Sequence, residues 1–463
     1  MIKNKKGVLF HSVSIVLSVL ILLSLFSCRF SRTPSSKYEI YENIENSLTY
    51  DTKNYKYVGY YLDDWGFPSF DSFKVIDWAE NVFQNNYNYE GGLGDTLTHA
   101  AKTAEHFLEN YYDNINLKDR AAVTDAIISS YVYVIGDPYS VYRTPDEYEN
   151  YSTDMSGKFG GIGVVVEYNH TDETIRVSSI NIDSPAEAAG FRVGDYIIGV
   201  NGESIADIGY LNAVYKIRGE IGTDVNITVL RGNEEIVLTA TRAEVVEKTV
   251  AYEITDDGYG YIIVNQFKGN TYRQFVEAIE YMESENVPGI IFDMRGNPGG
   301  YLDTVVNMIS YLIPNGNVIV SYEFKGRGPT VYKSTTDTNP ITSEKSDHAL
   351  TVPVVVICNE YTASAGEIFT SAMRDYNDMG VLVASVVGKT TYGKGIMQSS
   401  TIYTSLDPSS ITLTTAYYNP PCGINYHGVG VSPDEGLEVD NTEDEDLQLK
   451  TAVEELKNLI NSQ

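Results

Sequence analysis

From Gly258 to Gly388 the chain repeats one pattern, a short run that is apolar without a polar face followed by a segment with apolar residues at helical spacing. GYIIVNQF precedes a helix over residues 271–285 in which Phe275, Ala278, Ile279 and Met282 share one side. GIIFD leads through RGNPGG into a helix over 301–313, and PVVVIC leads through TASAGEIF into another before VLVASVVG. A strand that is apolar on both faces has to be covered on both, which is the condition of a parallel sheet between helices. The expectation is an α/β core over residues 250–440. The residues after it, 441–463, carry Leu449, Val453, Leu456 and Ile460 at helical spacing and read as an amphipathic helix packed on that core.

At 463 residues the chain is too long for one core of ordinary size, so further domains are expected. Residues 28–70 are rich in Ser, Asn, Asp and Tyr and read as a tether, and residues 71–150 read as a helical region that closes in GDPYSVYRTPDEYE, where Pro138 and Pro145 force turns. Near Ser156 the period changes to short strands and turns: KFGGIGVVVEY, RVSSINIDSPAEAAGFRVGDYIIGVNGESI, NITVLRG and EIVLTATRAEV. Ser184 is placed to cap a short helix starting at Pro185.

Residues 157–245 resemble a PDZ domain, on the strength of FGGIG and the long string SPAEAAGFRVGDYIIGVNG. Successive backbone N–H groups in a glycine-rich loop can hold a chain-terminal carboxylate while the adjoining strand edge adds the peptide to its sheet. Phe159, Gly160, Gly161, Ile162 and Gly163 are therefore the expected peptide-binding loop. The expected partners are proteins or peptides with free C-termini, and the apolar residues Phe159, Ile162 and Val164 suggest an apolar last side chain.

The net charge is −30, and −33 without residues 1–27, which carry Lys3, Lys5 and Lys6 and no acid. A surface that acidic argues against nucleic acid and against anionic lipid as partners. Residues 1–27 join a basic start to an apolar run from Val8 to Leu25, the form of a secretory signal peptide. Leu25, Phe26, Ser27 and Cys28 resemble a bacterial lipobox, which implies lipidation of Cys28 and a lipid-anchored, extracytoplasmic place in the cell envelope. Ordinary cleavage and a retained N-terminal anchor are the alternatives. Cys358 and Cys422 are then too few for a disulfide framework, and Cys358 reads as a small buried hydrophobe.

Ser364 follows a buried strand and opens a helix, so its hydroxyl stands at the C-terminal edge of the sheet, where α/β folds place their sites. A helix cap would look the same. Lys394 lies between Gly393 and Gly395 in GKTTYGKGIMQ, and lysine acts as a base when desolvation leaves it neutral. Tyr392, Ile396 and Met397 are candidates for that enclosure; the other reading is an exposed loop lysine, for which Lys389 is the nearby control. His348 and His427 lie in polar or Gly/Pro-rich loops, which leaves no visible Ser-His-Asp arrangement. No His/Cys/Asp cluster has ligand spacing, so no metal or cofactor is indicated.

From about Asp125 to Asp434 the chain resembles the C-terminal-processing, or tail-specific, serine peptidases. The resemblance rests on GDPYSVYRTPDEY, the PDZ strings, FDMRGNPGGYLD, NEYTASAGEIF with GKTTYGKGIMQ, and GVGVSPD, in that order. It implies an α/β multidomain fold with a ClpP/crotonase-like parallel-sheet peptidase core, an inserted PDZ domain and an N-terminal helical region. It further implies a serine endopeptidase with Ser364 as nucleophile, Lys394 as general base and Gln398 orienting the lysine. The oxyanion donors would be the N–H of Ala365 and of a glycine of RGNPGG, here taken as Gly299. Arg295 is either structural or a sensor of the PDZ domain. In an extended strand Gln398 would lie about 13 Å from Lys394, so contact between them requires a bend. The alternative to an enzyme is a silent PDZ adaptor on a peptidase-like scaffold.

Overall fold

The computed structural model describes residues 137–463 except 171–173, 325–327, 336, 339–344, 404–407, 443 and 463, together with residues 125, 128, 129 and 132. The leader, Cys28, the tether and nearly all of the helical region before residue 137 lie outside the described residues.

The α/β core has the expected layers. Strands Gly260–Val264, Ile290–Asp293, Val354–Cys358 and Ala384–Gly388 run parallel in that order, and Val250–Ile254 adds an antiparallel edge. Alternate residues feed two cores, as a pleated strand requires. Ile290, Phe292, Val354 and Val356 pack under the helices Thr271–Ser284, Leu302–Leu312 and Ala365–Asp378. Ile291, Val355 and Ile357 on the other face pack under the helix Leu447–Asn461 through Ala452 and Leu456. Cys358 is fully buried in the first core.

A second, antiparallel sheet stands beside the first. Its central strand Ser409–Asn419 pairs with Ile396–Tyr403, with Val318–Phe324 and with Val141–Arg143. The chain leaves the parallel sheet at Gly388 and enters this one at Ile396, so Lys394 lies in the crossing between two sheets. Residues 137–140, just ahead of Val141, are thereby fixed to the same sheet.

The PDZ domain is a sheet in the order Val164–Asn169, Thr174–Ile180, Tyr196–Val200, Asp224–Arg231, Glu234–Thr241, with the helix Tyr210–Ile217 over it. Ser184 caps the short helix Pro185–Ala189 as expected, its hydroxyl accepting the Glu187 N–H at 3.2 Å. The chain enters and leaves the domain through one antiparallel ribbon, Lys158–Gly161 against Ala243–Val246. At its base Asn270 donates to the carbonyls of Gly157 and Glu247 at 3.0 and 2.8 Å. The buried Lys268 amine meets Asp154 and Glu247, each at 2.9 Å, and Asp154 also meets Arg218 of the PDZ domain. Ribbon and charges together bind the inserted domain to the core.

Candidate active site

Ser364 ends the loop after Val354–Cys358 and stands at the N-cap of Ala365–Asp378 with φ 55° and ψ −117°. A non-glycine residue in that region carries strain of roughly 1–3 kcal/mol. A cap has no need of such a conformation. A sharp strand-to-helix turn that lifts a nucleophile out of the sheet does.

The turn is held by its neighbours. Thr362 Oγ1 donates to the Met294 carbonyl at 2.8 Å, Ala363 N–H to the Asn297 carbonyl at 2.9 Å, and Tyr392 N–H to the Thr362 carbonyl at 3.0 Å. Gly299, at φ 101°, lies so close that a Cβ on it would stand 2.8 Å from the Ser364 Cβ. RGNPGG, TASAG and the lysine loop therefore form one joined floor.

Glu367, one helical turn into Ala365–Asp378 and fully buried, ties serine and lysine together. Its Oε2 accepts the backbone N–H of Ser364 at 2.9 Å and of Lys394 at 2.7 Å; its Oε1 accepts Gly393 N–H and Thr391 Oγ1–H, both at 2.6 Å. Burial pushes its carboxyl up while these four donors pull it back. Four donors call for an acceptor-only group, the ionised carboxylate. Sequence reading missed Glu367, although Ser-Ala-Gly-Glu is a capping-box pattern that would have pointed to it.

Lys394 sits where the crossing is tightest. Gly393, at φ 88°, lets the Gly428–Gly430 backbone approach, and a Cβ on Gly395 would stand 2.7 Å from the His427 nitrogen. Tyr418 Oη donates to the Lys394 carbonyl. The amine lies over the Tyr139 ring, 4.8 Å from its centroid. Burial lowers its pKa to about 8, against the opposing charges of Asp137 and Glu367. Among the described residues no hydrogen bond joins the Ser364 hydroxyl to the Lys394 amine, so their link is Glu367 and the backbone it holds.

The remaining predicted positions fall out unequally. The Gly299 N–H, expected in the oxyanion hole, donates instead to Asn297 Oδ1 at 2.8 Å. Among the described residues neither Gly300 N–H nor Ala365 N–H has an acceptor. Gln398 lies on the strand Ile396–Tyr403 just past a bulge, and its amide donates to Thr414 Oγ1 at 3.4 Å rather than to Lys394. Arg295 is structural: it clamps Asp293 and the Asp446 cap of the last helix at 2.6–3.0 Å and touches nothing in the PDZ domain among the described residues. His348 is engaged by Tyr311 and Glu283.

At the PDZ loop, Gly160 lies against the Gly219 carbonyl, and Gly161 pairs with Ala243 across the ribbon. The Phe159 ring carries the Arg218 guanidinium 4.0 Å above it, and Ile162 is in the domain core. Ile162 N–H and Gly163 N–H have no acceptor among the described residues, and the adjoining Val164–Asn169 is an edge strand whose one neighbour is Thr174–Ile180.

This fold and site define a PDZ-bearing scaffold of serine-peptidase type. Residues 258–437 match the model of peptidase family S41 and residues 160–241 that of the PDZ domain. It is 34% identical over 338 residues to a probable CtpA-like serine protease of Staphylococcus haemolyticus, covering 73% of this chain and 63% of the relative. A namesake in Staphylococcus epidermidis is 35% identical over 67% of this chain and 60% of its own length. The chain thus spans about three-fifths of the curated relatives it matches. Among solved structures, the photosystem II D1 C-terminal processing protease is 23% identical at TM-score 0.45, over 81% of this chain and 94% of that one. A putative S41 protease of Bacteroides fragilis is 15% identical at TM-score 0.47, over 86% and 98%. The likeness to family S41 rests on the sequence matches.

Proposed function

We propose that the chain is a serine endopeptidase of the C-terminal-processing kind, with Ser364 as nucleophile and Lys394 as general base. The observation that carries this reading is the shared anchor: one buried carboxylate fixes the backbone of a strained serine and of an enclosed lysine whose pKa is lowered to about 8. A lysine that is neutral in a useful fraction near pH 8 can take the Ser364 proton. The serine oxygen then attacks the scissile carbonyl, and Ala365 N–H with a backbone N–H of RGNPGG receives the oxyanion. Collapse expels the amine, which takes the proton from Lys394, and leaves an acyl-enzyme. Lys394 next deprotonates water, which releases the second product and restores Ser364.

The open edge of Val164–Asn169 and the two free N–H groups at Ile162 and Gly163 support capture of a substrate's C-terminal strand. The leader and Cys28 support export and a lipid anchor in the cell envelope. The test uses an unfolded protein with an apolar tail. Wild type cleaves it; Ser364→Ala and Lys394→Ala do not, and blocking the tail's carboxylate by amidation raises KM. Undiminished cleavage by either variant removes the mechanism.

A further inference from the structure

The turn over residues 137–140 enters the site from far away in sequence and does more than reverse the chain. Asp137 is buried, and its two carboxylate oxygens accept Tyr139 N–H at 2.9 Å and Ser140 Oγ–H at 2.6 Å. Ser140 Oγ in turn accepts the Thr414 N–H at 3.3 Å, and Val141–Arg143 pairs with Ser410–Thr412 on the same strand. The turn is thus locked to the sheet that carries Tyr418 and receives Gln398. Its Tyr139 ring lies over the Lys394 amine, and its hydroxyl reaches the Tyr392 hydroxyl at 3.5 Å. Gln398, the residue expected to orient the lysine, is bonded elsewhere.

We propose that Tyr139 and Asp137 are positioning residues for the Lys394 amine: the Tyr139 ring fixes and shields it, and Asp137 fixes the turn that presents the ring. A cation over an aromatic face is attracted to the ring's quadrupole, yet a ring accepts no proton and leaves the amine able to become neutral. A carboxylate in the ring's place would bond the ammonium and hold its proton. The groups that face Lys394 are Asp137 and Tyr139 from the turn, Glu367 from the helix, Tyr418 from the neighbouring strand and Tyr392 from its own loop. This proposal rests on the reading of Lys394 as base.

The test measures kcat, KM and the rate at which a fluorophosphonate labels Ser364, each against pH. It uses the full chain as wild type, Tyr139→Leu, Tyr139→Phe, Asp137→Asn and Lys394→Ala, with rates normalised to the folded fraction from melting curves. Tyr139→Leu is expected to lose about ten- to a hundredfold in kcat and in labelling, with KM within about twofold. Tyr139→Phe, which keeps the ring, is expected to restore most of that loss. Asp137→Asn removes a negative charge near the amine, so its acid limb is expected to move to lower pH. Wild-type kcat in Tyr139→Leu, a gain in kcat, equal losses in the Leu and Phe variants, or an acid limb that stays or rises in Asp137→Asn would each overturn the proposal. Activity in Lys394→Ala would instead overturn the base reading itself, whatever Tyr139 does.

Discussion

Lys389 and Lys394 are five residues apart in one glycine-rich segment, and the fold sends them to opposite fates. Lys389 follows Gly388, whose Cα has no room for a side chain against the Cys358 carbonyl, and its amine bonds the Asp440 carboxylate in reach of solvent. That bond raises its pKa. Lys394 is pinned through its backbone by Glu367, covered by a ring, and lowered to about 8 by burial. Glycine neighbours and tight backbone packing are common to both, so they do not make a base. Nor does burial by itself, since the buried Lys268 meets two carboxylates at 2.9 Å. What sets Lys394 apart is enclosure without a carboxylate bonded to its amine among the described residues.

The largest effect should come from removing that amine. Lys394→Ala is expected to lose on the order of 10³-fold or more in kcat/KM. Lys394→Arg should do no better, because a guanidinium stays protonated. If Lys394→Arg retained wild-type turnover, a neutral amine would be unnecessary and the contrast with Lys389 would lose its meaning. Next comes the anchor. Glu367→Gln turns an amide donor toward one of the groups that now donate to Glu367, and a loss of about 10²-fold in kcat is expected, measured beside an unchanged PDZ affinity for a tail peptide.

The core was legible because strands apolar on both faces leave one architecture, and the mean separation of Ser364 from Lys394 is bridged by a strand and helix that the period reveals. The second sheet was not legible. Its central strand buries Ser409, Ser410, Thr412, Thr414 and Thr415, and side-chain bonds on it come from partners remote in sequence, such as Arg143 on Thr412. Glu367, Asp137 and Tyr139 were missed for a related reason. Their roles are defined by what three loops bring to one point, whereas Ser364 and Lys394 stand out by local chemistry. Gln398, assigned by resemblance, donates to Thr414 Oγ1 from just past the bulge, a partner that no local pattern shows.

A smaller effect is expected from pH. If Lys394 is the base it works when neutral, so activity should be lost as pH falls through its folded pKa and be full above it. With that value at about 8, kcat/KM should rise roughly tenfold between pH 7 and pH 9. An acid limb near the free-lysine value would mean that water reaches the amine and that the enclosure does not operate.

The smallest expected effect is at Lys389, and it tests the comparison most strictly. Lys389→Ala and Asp440→Asn each break a pair at the surface, where water and salt already compete for both charges. Cleavage should stay within about twofold of wild type for both, and the acid limb should not move. The two lysines share a loop, however, and Lys389 N–H donates to the Cys358 carbonyl at 2.9 Å, on the strand that leads to Ser364. A loss of turnover in Lys389→Ala that Asp440→Asn reproduces would mean that the surface pair sets the height of the whole crossing. Lys394 would then owe its enclosure to Lys389, and the two could no longer be treated as base and bystander.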